Sequence, residues 1–254
     1  MLALSACSDS DDNNGDGDEA DQTSDEVAEG EVSADEASST AQDRIQAAKT
    51  SGATELDLSD LSLSEVPSEI GELTELQVLR LNGENLAGLP SEIGQLTALQ
   101  EFHVRGNPQE QGVGLSSLPT EIGQLATLQK LDLYANNLTD LPPEIGQLTN
   151  LQELNASNNA LERLPPEIGQ LENLQVLNLS QNALRTLPPE VGQLANLQEL
   201  VLRSNQLMSL PPELGQLENL QDLQLRDNPS LTSPPRDIVN QGTDAVLEYL
   251  RAQQ

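Results

Sequence analysis

The chain has 254 residues and a formal net charge of −31 at pH 7. So acidic a chain repels nucleic-acid phosphates and anionic lipid head groups, and one phenylalanine, two tyrosines and no tryptophan provide no platform for stacking bases. A single cysteine excludes a disulfide within the monomer, and no run of 18 apolar residues is present that could span a membrane.

The N-terminal part of the sequence divides into two segments. The sequence Leu-Ser-Ala-Cys ending at Cys7 is similar to a bacterial lipobox, in which an apolar residue and two small residues precede the lipidated cysteine. We therefore predict that residues 1–7 are a truncated signal segment and that Cys7 is the lipidation site. Residues 8–40 are acidic and poor in apolar side chains, which predicts a disordered tether. The alternative is an isolated cysteine on an acidic tail.

A short amphipathic segment and a long repeat array follow. Residues 41–52 place Ile45 and Ala48 on one helical face, which predicts an N-terminal capping helix. Residues 53–233 contain eight repeats, with a period of 23 residues in the clearest copies and the pattern L-P-x-E-I-G-x-L-x-x-L-Q-x-L-x-L. The alternating leucines of each repeat predict a short strand. The strand segments start at Ala53, Leu76, Leu99, Leu128, Leu151, Leu174, Leu197 and Leu220.

The repeat pattern also predicts how the units stack. Its Leu-Pro-x-Glu-Ile-Gly part favours a short helical or 3₁₀ segment on the convex side, begun by proline and ended by glycine. Because a crossover precedes each strand, the strands must be parallel. We therefore predict an α/β solenoid, a horseshoe with a curved parallel sheet on its concave face and helical caps. One repeat buries too little apolar surface to offset the entropy of ordering it, so the repeats must fold together.

Asparagine recurs where the predicted strands end, and a buried amide there can bond the backbone of neighbouring turns. The predicted structural ladder is Asn107, Asn136, Asn159, Asn182, Asn205 and Asn228. After the array, residues 234–254 begin with two prolines and continue into a segment with Val246, Leu247 and Leu250 on one side. This pattern predicts a C-terminal helical cap over the last leucine layer.

Residues 43–251 resemble the leucine-rich repeat arrays of bacterial Roco, TIR and related signalling proteins. The match rests on D-R-I-Q-A-A-K-T-S-G-A-T-E-L-D-L-S at the start, L-P-P-E-I-G-Q-L-x-N-L-Q within the array and N-P-S-L-T-S-P-P-R-D-I-V-N-Q-G at the end. The resemblance implies a recognition surface. It does not extend to a GTPase, TIR or kinase module, and the sequence has no G-x-x-x-x-G-K phosphate loop.

The sequence predicts neither catalysis nor a cofactor. His103 is the only histidine, and it has no cysteine or second histidine with which to bind zinc. Asp132, His103 and a neighbouring serine can be written as a catalytic triad, but no nucleophile elbow or oxyanion loop surrounds them. We therefore predict a protein that is not an enzyme and has no catalytic residues, metal site or cofactor.

The outward residues of the predicted strands vary while the leucines do not, which indicates a binding surface on the concave face. Basic and acidic residues both occur there, which suits a polar protein partner. The third repeat has an insertion at residues 107–115, and insertions in regular arrays often serve binding. We predict partner contacts centred on repeats two to four, with sequence drift on a solvated face as the alternative. The candidate partner-binding residues are Arg80, His103, Arg105, Lys130, Asp132, Tyr134, Arg203 and Arg226.

Together these features predict a non-catalytic, monomeric protein-interaction module that binds a protein ligand and no nucleic acid. We expect it at the bacterial cell envelope as an outer-membrane lipoprotein that contacts the membrane only through a lipid on Cys7. The alternatives are a soluble cytoplasmic adaptor or regulator of a signalling complex, whose chain begins at Met1, and a secreted effector.

Overall fold

The computed structural model describes residues 34–83, 85–107 and 114–254. Three predictions therefore lie wholly or partly outside the described residues: the signal segment with Cys7, the tether up to residue 33, and residues 108–113 of the inserted loop. None of the described helices is long and apolar enough to cross a membrane.

Within these residues, eight strands of three residues each form one open parallel sheet, and their order in the sheet is their order in the sequence. This arrangement confirms the predicted α/β solenoid fold. The strands are β1 (Glu55–Asp57), β2 (Val78–Arg80), β3 (Glu101–His103), β4 (Lys130–Asp132), β5 (Glu153–Asn155), β6 (Val176–Asn178), β7 (Glu199–Val201) and β8 (Asp222–Gln224).

The register of the sheet follows the repeat. Leu154 pairs with Leu177, 23 positions later, and the same step joins all neighbouring strands except β3 and β4. Phe102 pairs with Leu131, 29 positions later, so the insertion in the third repeat leaves the sheet in register. The middle residue of β1 to β7 is buried, and these side chains form the wall of a single apolar core.

Seven 3₁₀ helices lie between the strands, one in each crossover. They are Ser68–Glu72, Ser91–Gln95, Thr120–Gln124, Pro143–Gln147, Pro166–Gln170, Pro189–Gln193 and Pro212–Gln216. The proline before each helix has φ between −57° and −69°, as the pyrrolidine ring requires. These prolines start the helical segments as predicted.

The glycine of each repeat has a different role from the one predicted. It lies inside the 3₁₀ helix, it is buried, and its φ is not positive, so it does not end the helix. A Cβ atom added to Gly169 would lie 2.5 Å from the carbonyl oxygen of Glu190 in the next helix. The absence of a side chain therefore allows consecutive crossovers to pack backbone against backbone.

Helix α1 spans Ala34–Ser51 and covers the first leucine layer. It begins seven residues before the predicted capping helix, so the predicted disorder of residues 34–40 is wrong. The reason is a buried stripe that continues upstream of Ile45 at helical spacing, formed by Ala37 and Ala41. Alanine side chains are small, and the low apolar content of this stretch conceals the stripe in the sequence.

Two helices follow the last repeat, α2 (Arg236–Val239) and α3 (Thr243–Arg251). Val246, Leu247 and Leu250 of α3 are buried and belong to the same core as the repeats. Helix α3 packs against the last 3₁₀ helix, where the Arg251 guanidinium Nε donates a 2.6 Å hydrogen bond to the Gly215 carbonyl oxygen. The predicted C-terminal helix is present and packs against the last turn.

Candidate functional site

The outward surface of the sheet is the candidate site. We call it the strand face: the first and third residues of each strand together with the residue two positions beyond the strand. Because strand side chains alternate, these residues point away from the leucine core. All eight candidate partner-binding residues lie on this face, and the structure separates them into two groups.

The first group surrounds Asp132 at the end of β4. This aspartate is only 8% exposed, and three neighbours donate hydrogen bonds to its carboxylate. Arg105 Nε lies 2.7 Å from Oδ2, while Asn155 Nδ2 and the Tyr134 backbone nitrogen lie 3.0 and 3.1 Å from Oδ1. Burial by itself raises the pKa of Asp132, but the interactions with His103, Arg105 and Tyr134 outweigh it and hold the pKa below its ordinary value.

His103 lies beside the same carboxylate. Its Nδ1 is 4.0 Å from Asp132 Oδ2, and its Nε2 is 3.3 Å from Glu101 Oε2. Asp132 raises the pKa of His103, burial of the ring opposes this effect, and Glu101 adds to it. Both ring nitrogens of the histidine therefore face carboxylates.

The other two cations of this group also have partners. Lys130 Nζ lies 3.0 Å from Glu153 Oε1, and that carboxylate raises the pKa of Lys130. Arg80 Nη1 lies 3.5 Å from Glu55 Oε2. The predicted patch on repeats two to four therefore carries several ion pairs, and the one between Arg105 and the buried Asp132 orders its side chains most strongly.

The second group, Arg203 and Arg226, lies at the other end of the sheet. Both side chains are exposed and line a pocket of about 950 Å³ between β8 and the C-terminal cap. Arg236 of α2 lines the same pocket. Sequence reasoning missed Arg236 because it lies outside the repeat pattern, and only the fold of the cap brings it to the strand face.

Five asparagine side chains beyond the strand ends form hydrogen bonds with the backbone of their own repeat and of the preceding repeat. Asn205 is representative: its Oδ1 accepts a 3.1 Å hydrogen bond from the Leu184 backbone nitrogen, and its Nδ2 donates to the carbonyl oxygens of Leu179 and Leu202 at 2.9 and 3.1 Å. The equivalent bonds are made by Asn136, Asn159, Asn182 and Asn228. Asn107 occupies the corresponding place in the third repeat and is partly buried.

A second, exposed ladder was not predicted. Each of its side chains donates a 2.8 Å hydrogen bond to a backbone carbonyl of the preceding repeat. Its members are Thr127, Asn150, Asn173, Asn196 and Asn219. The recurring Asn-Leu-Gln in the sequence is the signal that could have indicated it.

In the part of the chain that the structure describes, no group of three or more histidine, cysteine, aspartate or glutamate side chains is arranged to hold a metal ion. The predicted lipidation site, Cys7, lies outside the described residues.

Comparisons with known proteins agree with the architecture. A family model described as a leucine-rich repeat region matches residues 154–241, and a model of two leucine-rich repeat copies matches residues 126–165. No curated protein sequence matches the chain.

Solved structures give longer matches. A Leptospira interrogans leucine-rich repeat protein is 37% identical, with a TM-score of 0.67 over 75% of this chain and 53% of that protein. The plant peptide hormone receptor RGFR1, solved in complex with RGF2, is 37% identical, with a TM-score of 0.61 over 69% of this chain and 29% of the receptor. The leucine-rich repeat domain of the type III effector XopL is 25% identical, with a TM-score of 0.65 over 87% of this chain and 84% of that domain.

This chain therefore spans about half of the Leptospira protein and less than a third of the plant receptor. The 23-residue repeat, the open parallel sheet and the matches to both family models lead to one conclusion. The chain is a leucine-rich repeat protein.

Proposed function

We propose that this chain is a non-catalytic module that binds a protein partner through the strand face. The observation that carries the proposal is the contrast between the two sides of the sheet. The inward residue of every strand is leucine except for Phe102, whereas the outward surface is largely polar and carries both signs of charge. Leucine-rich repeat domains generally mediate protein–protein interactions, and the similar plant receptor was solved with a peptide hormone bound.

The ion-pair network around Asp132 supports this role physically. Arg105 forms an ion pair with Asp132, yet its side chain remains 49% exposed. The half-buried Tyr134 lies two residues after Asp132, just beyond the end of β4. A side chain that is already ordered loses less entropy when a partner binds. Arginine and tyrosine are also the residue types that most often dominate interface energetics. We place the centre of the partner footprint at Arg105 and Tyr134.

Replacing Arg105 and Tyr134 together with alanine should weaken partner binding by more than about 2 kcal/mol, or about 30-fold. The measurement is affinity capture of partners from the cells that make this protein, followed by calorimetric titration of the purified partner with wild type and variant.

The matched control replaces Arg163 and Arg185 with alanine, since both lie in the crossovers and outside the strand face. Its affinity should equal that of the wild type. Circular dichroism must show that the Arg105/Tyr134 variant is folded, because the change leaves Asp132 without its arginine. A folded variant with unchanged affinity would remove this part of the strand face from the footprint.

We further propose that the module is held at the bacterial cell envelope by a lipid on Cys7, with a soluble cytoplasmic adaptor as the alternative. The lipobox-like sequence and the acidic segment after it support the envelope location. Metabolic labelling with palmitate should mark the wild type, and Cys7→Ala should abolish the label and the membrane association. An unlabelled wild type in the soluble fraction would favour the adaptor.

A further inference from the structure

The distribution of paired and unpaired cations points to a specific binding pocket. All eleven lysine and arginine residues lie in the described part of the chain. Four side chains form ion pairs there, and two more arginines donate hydrogen bonds to backbone carbonyls. Five arginines have no such bond among the described residues, and three of these, Arg203, Arg226 and Arg236, line the 950 Å³ pocket at the C-terminal end of the sheet.

Two of the three are held next to each other by the sheet. The Ser204 backbone nitrogen donates a 2.9 Å hydrogen bond to the Arg226 carbonyl oxygen, so Arg203 and Arg226 occupy equivalent positions in adjacent repeats of the strand face. Neighbouring strands are about 4.8 Å apart, so these two positively charged side chains start from adjacent backbone positions, and an anion that contacts both would reduce their mutual repulsion. A carboxylate matches the fork of a guanidinium group with two parallel hydrogen bonds.

The rest of the lining limits the kind of anion that fits. Asp222 and Asp227 are also part of the pocket wall, so a densely charged polyanion would be repelled. Leu223, Leu231 and Val239 are partly buried side chains that line the same pocket and offer it apolar surface. The pocket thus combines an apolar surface with guanidinium groups.

We propose that this pocket binds an extended segment of the protein partner in which a glutamate or aspartate lies beside an apolar residue. The proposal rests on the proposed function and names the chemistry of the partner segment. The arginines receive the carboxylate, and the apolar side chain packs on Leu223, Leu231 and Val239.

The test uses a synthetic probe with the full-length protein. The probe is the acetylated and amidated peptide Gly-Ser-Glu-Leu-Glu-Ser-Gly with a fluorescent label, and its neutral counterpart has glutamine in place of both glutamates. Fluorescence anisotropy should show that the wild type binds the acidic probe at least about tenfold more tightly, with an affinity that falls as salt is added.

The triple variant Arg203→Gln, Arg226→Gln, Arg236→Gln should lose this preference. The control variant Arg163→Gln, Arg185→Gln carries two of the same charge changes outside the pocket and should keep the preference. Equal affinity of the wild type for both probes, or an equal loss in the control, would overturn the proposal.

Partner capture with the same variants separates this proposal from the proposed function. If the triple variant binds the purified partner as tightly as the wild type, the pocket proposal is wrong while binding through the strand face stands. If the triple variant loses partner affinity and the control does not, the pocket proposal is supported.

Discussion

Gly169→Ala should lower the free energy of unfolding by about 3 kcal/mol or more, as expected for an unusually severe overpacking substitution. The added Cβ would lie 2.5 Å from the Glu190 carbonyl oxygen and 2.9 Å from Glu190 Cβ. These atoms belong to the backbone and the base of a side chain, so they cannot rotate away. Two consecutive crossovers would have to separate, and the leucine layers between them would lose contact. Urea denaturation followed by circular dichroism measures the loss.

Gly88→Ala is the matched control. A Cβ at Gly88 meets no atom within 4 Å, and its φ is not positive. The substitution should therefore change stability by less than about 1 kcal/mol, with a small gain from the reduced entropy of the unfolded chain. If Gly169→Ala and Gly88→Ala lowered the free energy of unfolding by similar amounts, crossover packing would not depend on glycine.

Asn205→Ala should destabilise the protein by about 3 kcal/mol, because it removes three buried hydrogen bonds and leaves one buried backbone N–H unsatisfied. The Leu184 N–H would lose its bond to Asn205 Oδ1, and a buried unsatisfied group costs about 1–3 kcal/mol. The carbonyl oxygens of Leu179 and Leu202 would each lose one amide donor, at about 0.5–1.5 kcal/mol per bond, and would keep the bonds from Asn182 and Asn228. Asn205 is 4% exposed, so water cannot readily replace the amide. The same urea denaturation measures the effect.

Asn196→Ala removes an asparagine from the exposed ladder and serves as the control. Its single 2.8 Å bond to the Glu172 carbonyl oxygen lies at the surface, where water takes over the interaction. The expected loss is within about 1 kcal/mol. If Asn196→Ala were as destabilising as Asn205→Ala, burial would not explain the role of the inner ladder.

The leucine period predicts the sheet because it is both local and repeated. A three-residue strand is defined by its central inward residue and by its pairing with the strand 23 positions later, and the repeat pattern gives both. The inner asparagine ladder can be predicted for the same reason. The packing role of Gly169 cannot be predicted, because a glycine between Ile168 and Gln170 is consistent both with a helix end and with close packing. Only the distance to Glu190 in the next repeat distinguishes the two.

The candidate site is less predictable, because outward side chains are constrained by their neighbours across strands. The sequence identifies Arg105 and Asp132 as members of one surface but does not show that they bind each other across 27 positions. It also gives no indication that Arg236, in the cap, joins Arg203 and Arg226. Aligning the repeats shows which residues occupy equivalent positions. It does not show which side chains form ion pairs, because those contacts depend on side-chain conformations.

Site-specific photocrosslinking tests the central claim, that the strand face is the binding surface, most directly. A photoreactive amino acid is introduced either at Glu101, the first residue of β3, or at Gln95, the last residue of the preceding 3₁₀ helix. We expect the Glu101 position to crosslink to the partner and the Gln95 position to give no product. Crosslinking from Gln95, with none from Glu101, would place the binding surface on the crossovers and contradict the proposed function.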